Sequence, residues 1–553
     1  VGPYLEVLPV NRQTRLFSLL GTGFLLTALS ACGGDDGGTS GTNPDNPNAP
    51  ADAGTSQPWI LGTTDPIVSI DPAGAYDIGS WNLQYSVYEQ LLAIPAGGDT
   101  PEADAAESCE YDDPQTVTCI LRPDNTFSNG NPLTSSDVKF SFERNIAIAD
   151  PNGASTLLGS IIDPDAETQT IAEGAIETPD DTTVVFNLNK PDLTFTKVLS
   201  TAATSIVDED TFPADALLAS DEVVGSGPYA LSQFIEEQQA VLEANPEYLG
   251  TRSGAADQVI VKLYTDPSSL RSDIGTSQVD VAWRTLSPTD LADLSNTDGL
   301  ELLEGDGSEF RYWVWKTDNP TASEVAVRQA VAHLIDRAEI TQDAYDGTTT
   351  PAYSLVPPGF AGQKESFKEV YGEGPDEAAA EKVLADAGVS TPVPLTLAFP
   401  PDKYGPNSVD ETNILAAQLN DSGLFDVTVE DDQYAEYQNL YREGAYDLFM
   451  LGWYPDFLDA DNYLSPFLRD GGFFGNGYSN KKVNDLLDQE LGETDEAARS
   501  EEFGQLQDIV ANDVPVLPSW NGKNVAVATD EMSGVGETLD PTYIFRIWDI
   551  SKG

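Results

Sequence analysis

The chain has 553 residues and carries 92 Asp and Glu against 27 Lys and Arg, a net charge of −65. Such a charge repels phosphate backbones and anionic lipid headgroups, which excludes nucleic-acid binding and polybasic membrane roles. An apolar fraction of 40%, with 21 Tyr, 21 Phe and 8 Trp, is that of a folded protein long enough for two or three lobes, so the acids read as a solvated shell. That shell suits high salt, because at roughly 1 M the Debye length of about 3 Å removes self-repulsion.

At the N-terminus Arg12 and Arg15 precede the apolar runs Leu16–Leu20 and Phe24–Leu29, with no acid between Arg12 and Cys32. This is the pattern of a signal peptide over 1–31, broken by Gly21 and Gly23 and short for a permanent bilayer span. Leu29-Ser30-Ala31-Cys32 resembles a bacterial lipobox, which implies lipidation of Cys32. The stretch 32–57 is small and polar and is expected to be a disordered tether.

The first expected strand is Ile60–Thr63, followed through Ile70-Asp71-Pro72 by a helix whose Leu83, Val87, Tyr88, Leu91 and Leu92 fall near i, i+4, i+8 spacing. Cys109 and Cys119 bracket Asp112-Asp113-Pro114 between two expected strands, the second over Thr118–Leu121, and a disulfide across the hairpin is expected. Thr134 caps a helix with Asp137 three residues later and Val138, Phe142 and Ile146 as its buried stripe. Further strands are expected at Val184–Leu188, Val259–Leu263 and Tyr312–Trp315. Ser323 is expected to cap a helix buried through Val327, Ala330, Val331, Leu334 and Ile335. Later helices run over Glu377–Ala387, ended by Gly388, and over Lys481–Leu491, and Tyr446–Leu451 reads as a strand.

Catalytic chemistry is poorly provided. The sole histidine, His333, lies in a helix among core residues with no nucleophile in its pattern. No thiol remains after lipidation and the disulfide, so no soft-metal site and no cofactor is expected. Gly225-Ser226-Gly227-Pro228 lacks phosphate-loop spacing, and Pro228 removes a donor, so it reads as a turn opening a strand.

Several segments in order carry a resemblance. They are Tyr88-Glu89-Gln90-Leu91-Leu92, Asn129 to Val138, Val224-Gly225-Ser226-Gly227-Pro228-Tyr229, Leu242 to Tyr248, Val327-Arg328-Gln329-Ala330-Val331 with Ile335-Asp336-Arg337, and Leu355-Val356-Pro357-Pro358. From Trp59 onward the chain resembles the extracytoplasmic solute-binding lipoproteins of ABC importers, in the peptide/nickel class (family 5). The resemblance implies an α/β fold: a two-lobed periplasmic-binding-protein-like type II architecture with an extra N-terminal subdomain (cluster C type). It implies lobe I from 58–82, 208–302 and 517–553, an inserted subdomain over 83–207, and lobe II over 303–516. It also implies a monomeric, non-catalytic receptor, lipid-anchored outside the cytoplasm, that closes on a peptide and passes it to permease subunits.

In peptide-binding relatives a tryptophan followed three residues later by Asp engages the peptide N-terminus, which here matches Trp453 and Asp456. Gly452 and Tyr454 would offer backbone partners, and Pro455 cannot donate. Arg284, next to Trp283, is a candidate for a ligand carboxylate or a surface ion pair. Trp520, Lys523, Tyr76 and Asp77 are further cleft candidates on the resemblance. An oligosaccharide receptor, with Trp283, Trp313 and Trp453 as stacking platforms, is the nearest alternative. A secreted carboxylate hydrolase and a surface adhesion protein stand further off.

Overall fold

The architecture is that of a computed structural model, which describes residues 57–553 except Ser253, Thr285 and Pro406. The signal peptide, Cys32 and all of the tether but Gln57 lie outside these residues.

Two sheets organise the two lobes. The first has seven strands in the order Leu300–Gly305, Asn524–Thr529, Val281–Trp283, Trp59–Thr63, Gln258–Leu263, Gln239–Ala244 and Tyr229–Ile235. Its centre is parallel: Trp59–Thr63 lies between Gln258–Leu263 and Val281–Trp283, with Leu61 opposite Val261 and Val281. Parallel strands need long crossovers, so the whole inserted subdomain fits between the first strand and its neighbours. The second sheet has six strands: Thr350–Pro351, Val516–Asn521, Phe310–Trp315, Leu448–Trp453, Val393–Phe399 and Phe425–Asp431. All six residues of Phe310–Trp315 are buried, consistent with its central place.

A third, four-stranded antiparallel sheet, Ala106–Asp113, Thr116–Leu121, Thr183–Asn187 and Ile176–Asp180, forms the subdomain with the helix Ser135–Ile148. That helix opens with a capping box: Thr134 accepts from the first turn, and Asp137 accepts from the Thr134 backbone N–H. Cys109 and Cys119 stand opposite each other in register and are joined by a disulfide.

Several local readings change. The helix after the first strand is Ile78–Val87, capped by Asp77, and Tyr88 is already extended, so Leu91 and Leu92 lie beyond it. Trp81, Leu83, Tyr85, Val87 and Tyr88 pack in the lobe I core, whereas Leu91 and Leu92 belong to the subdomain core. The subdomain therefore begins after Tyr88, not at residue 83, because five-residue periodic matches do not distinguish a helix from the turn that leaves it. The helix Val325–Leu334 takes Glu324 as its cap residue without a side-chain bond, and Ser323 instead donates to the Pro320 carbonyl.

The crossings between the two large lobes also move. Leu300–Gly305 pairs throughout with Asn524–Thr529 in the first sheet, and Val516–Asn521 pairs with Phe310–Trp315 in the second. The chain thus crosses near 306–309 and again near 522–523, later than 517. The two crossings run side by side: the Gly522 N–H donates to the Glu309 carbonyl at 2.9 Å. A Cβ on Gly307 would stand 2.4 Å from the Gly522 carbonyl oxygen, so glycine permits this approach.

Candidate ligand-binding cleft

The strand Leu448–Trp453 runs antiparallel to Phe310–Trp315, with Gly452 opposite Arg311 and Trp453 opposite Phe310. Beyond its end the chain turns through Pro455 and brings Asp456 to the face of lobe I. The Asp456 carboxylate accepts from the Tyr76 hydroxyl at 2.7 Å and from Asn462 Nδ2 at 2.9 Å. Asn462 also ties the turn together, because its Oδ1 accepts from the Asp456 N–H and from Trp453 Nε1. Burial raises the Asp456 carboxyl to about 6, against the lowering effect of the Asn462 and Tyr76 hydrogen bonds.

Trp453 is half-buried and packs edge-on to Phe467 and Phe473. The Gly452 N–H donates to the Tyr404 hydroxyl at 3.0 Å. A Cβ at Gly452 would meet Arg311 Nη1 at 2.9 Å and Cζ at 3.1 Å, so glycine here makes room for a cation. Tyr454 lies under the Arg284 guanidinium, 4.6 Å from its ring centroid, and edge-on to Tyr543. Since Arg284 and Tyr543 come from lobe I, Tyr454 and Asp456 are contacts across the closed cleft.

Arg284 adopts φ +64°, an uncommon conformation for a residue with a side chain. Its Nε donates to Asp65 at 2.9 Å. Burial opposes the Arg284 charge, but Asp65 first, then Tyr454, Glu309 and Tyr543, outweigh it and hold the pKa above its ordinary value. Arg284 is thus a neutralised cation bridging the lobes. Asp77 caps the helix Ile78–Val87 by accepting from the Ser80 N–H, and burial raises its carboxyl to about 6.

Three candidates leave the cleft. Trp283 is 2% exposed, stacks on Phe545 and donates Nε1 to Asn524, all within the lobe I core. Trp520 is buried and donates Nε1 to Glu411. That carboxylate also accepts from Trp313 Nε1, the Tyr345 hydroxyl and Ser519 Oγ, which makes it a satisfied buried hub. Lys523 is exposed and pairs with Glu304 at 2.9 Å, outside the groups gathered around Asp456. Sequence position near a crossing does not tell which side of the strand a residue faces.

The structure adds residues that local pattern reading missed. Arg311 is 5% exposed, donates Nη2 to Glu309 at 3.0 Å, and has no hydrogen-bond partner at Nε or Nη1. Its guanidinium lies 3.7 Å from the Tyr404 ring centroid and 5.0 Å from that of Trp520. Lys403 stands beside it; desolvation first, then Arg284 and Arg311, lower its pKa, with Asp65 and Asp77 opposing. The signal was present: an arginine inside the wholly buried Phe310–Trp315 is an anomaly that needs a partner.

Between Trp81, Tyr85 and Tyr543 of lobe I and the stretch Tyr454–Leu458 lies a cavity of about 40 Å³. This holds a few waters and no peptide, so a guest enters only when the lobes part. Among the described residues no group of three or more His, Cys, Asp or Glu is placed to hold a metal ion.

Residues 100–475, well over half of the chain, match the family described as "Bacterial extracellular solute-binding proteins, family 5 Middle". The chain belongs to this family. The probable D,D-dipeptide-binding periplasmic protein DdpA of Escherichia coli is 25% identical over 89% of this chain and 94% of its own. Among solved structures, the Helicobacter pylori periplasmic binding protein DppA in complex with the peptide STSA superimposes with a TM-score of 0.76 at 20% identity. It covers 90% of this chain and 99% of that one. The binding protein AgaA from A. tumefaciens R10, in complex with agropinic acid, gives 0.72 at 21% identity over 90% and 99%. These likenesses establish the two-lobed α/β fold of the family for this solute-binding protein.

Proposed function

We propose that this family 5 protein captures a short peptide by its free N-terminus between the two lobes and delivers it to the permease of an ABC importer. The observation that carries this reading is Asp456: a half-buried carboxylate at the closing face whose partner from the opposite lobe is one neutral hydroxyl, that of Tyr76. A peptide ammonium taking that place gains a charge-assisted bond in a desolvated site. The dipeptide-binding description of DdpA and the peptide in the H. pylori complex support the same ligand class.

The other end of the ligand is assigned to Arg311, whose Nε and Nη1 lack partners although Glu309 holds its Nη2, and to Lys403 beside it. Arg311 faces Gly452 in register and Asp456 follows four residues later, a backbone span of at most about 14 Å. An extended peptide of about two to four residues fits that span. Backbone hydrogen bonds along the strand end supply affinity without side-chain selectivity.

The oligosaccharide reading loses two of its stacking platforms, since Trp283 and Trp313 are core residues that donate to Asn524 and Glu411. Export and anchoring through a lipidated Cys32, and adaptation of the acidic surface to salt, complete the proposal on the sequence pattern.

Titration calorimetry with trialanine and N-acetyl-trialanine tests it. The free peptide binds far more tightly, and Asp456→Asn weakens it by about a hundredfold while barely changing the acetylated one. Equal losses for both peptides would remove the proposed role of Asp456.

A further inference from the structure

The inserted subdomain grips the two large lobes in different ways. Towards lobe I its joints are buried ion pairs. Arg144 meets Asp71 with two bonds, at 2.8 and 2.6 Å, with both side chains at most 2% exposed. Arg252 of lobe I meets Asp104 through Nε and Nη2. Breaking such a pair strands a buried charge, so subdomain and lobe I move as one body.

Towards lobe II the grip falls on the residues directly beyond Asp456. Phe457, from lobe II, is buried in the subdomain's own hydrophobic core with Leu91, Phe195 and Leu199. Lys197, from the short helix Phe195–Val198, donates Nζ to the Leu458 carbonyl at 2.7 Å and to Asp459 Oδ2 at 2.8 Å. Arg499 of lobe II donates to both oxygens of the Asp459 carboxylate, Nη1 to Oδ2 and Nη2 to Oδ1, each at 2.9 Å. Burial alone would raise the Asp459 carboxyl, but Lys197 and Arg499 hold it below the usual range. Nearby, the Leu193 N–H donates to the Leu491 carbonyl at 2.8 Å.

We infer that Lys197 is a positioning residue for ligand capture: it clasps Leu458 and Asp459 to the subdomain as the cleft closes, and so holds Asp456 against the guest. This rests on the capture reading above. Arg499 holds both Asp459 oxygens from within lobe II, so Lys197 supplies the contact that crosses to the subdomain. The clasp touches no ligand. It acts on the closed population, and a shift in that population appears in dissociation, because release requires opening.

The test compares wild type, Lys197→Met and Lys197→Arg as full-length protein. Stopped-flow release of trialanine is read alongside the small-angle scattering radius of the ligand-free protein. Lys197→Met is expected to release trialanine about tenfold faster with association changed less than about twofold, and to enlarge the ligand-free radius. Lys197→Arg keeps release within about threefold of wild type. In an Asp456→Asn background, Lys197→Met accelerates release much less, since the two residues act on one segment. Unchanged release with an unchanged radius overturns the clasp, as does an equal loss in Lys197→Arg. If trialanine fails to bind wild type, the peptide reading falls. The radius then decides the clasp alone: enlarged supports it, unchanged rejects it.

Discussion

The Asp456 carboxylate is held by a hydroxyl and an amide, and its protonation sets the conditions for binding. Asp456 titrates near 6 and a peptide α-amino group near 7.7 to 8.0, so affinity for trialanine should peak between about pH 6 and 8. Calorimetry across pH 4.5 to 9.5 checks this, and a flat profile would contradict the ammonium–carboxylate contact. In the ligand-free protein the sign is reversed. A carboxyl raised on folding contributes stability below its unfolded value near 3.8 and loses it as pH rises through about 6. Arg311 gives a second expectation. Arg311→Met should weaken trialanine by about 10- to 100-fold while sparing trialanine amide, and should lower the melting temperature. The reason is that Glu309 then keeps a largely buried charge without its partner.

At the scale of elements, two glycine sites separate packing from binding. Gly227 belongs to the turn before Tyr229–Ile235, where a Cβ would lie 2.6 Å from the Val87 carbonyl carbon and 2.7 Å from the Ser86 oxygen and the Tyr88 nitrogen. Backbone cannot yield there, so Gly227→Ala should cost about 2 to 4 kcal/mol by denaturant unfolding with the affinity of the folded fraction unchanged. Gly452→Ala meets the end of the Arg311 side chain and the Tyr404 ring instead. Its expected effect is a loss of trialanine affinity with at most about 1 kcal/mol of stability, measured by the same two methods. The turn at Gly225–Pro228 therefore serves close packing against the end of the helix Ile78–Val87, in line with its lack of phosphate-loop spacing.

For the whole molecule, the balance of 92 acids against 27 bases sets the response to salt. Some of the scarce cations weld parts together: Arg144 and Arg252 at the joint of subdomain and lobe I, Arg284 against Tyr454 across the cleft, Arg499 under the Asp459 turn. Unbalanced carboxylates over the rest of the surface repel one another, and that repulsion is screened while the buried pairs are not. The melting temperature should therefore rise between dilute buffer and molar NaCl, by calorimetry. Indifference to salt would refute the adaptation.

The chain's own order of residues was enough for what is local or repeated along it: the capping box at Thr134, the strands around Ile60, Val259 and Tyr312, the helix ended by Gly388, and the succession of motifs that marks the family. It was also enough to draw attention to Trp453 and Asp456, since their spacing survives any folding. It could not tell which cation is available to a guest. Arg284 and Trp283 read as cleft residues, but Asp65, Asn524 and Phe545, each far away in the chain, take them up. Arg311, hidden in an aromatic strand, keeps two N–H groups without a partner next to Gly452. Pairing of charges depends on distances across the folded body, and only the tertiary structure decides those.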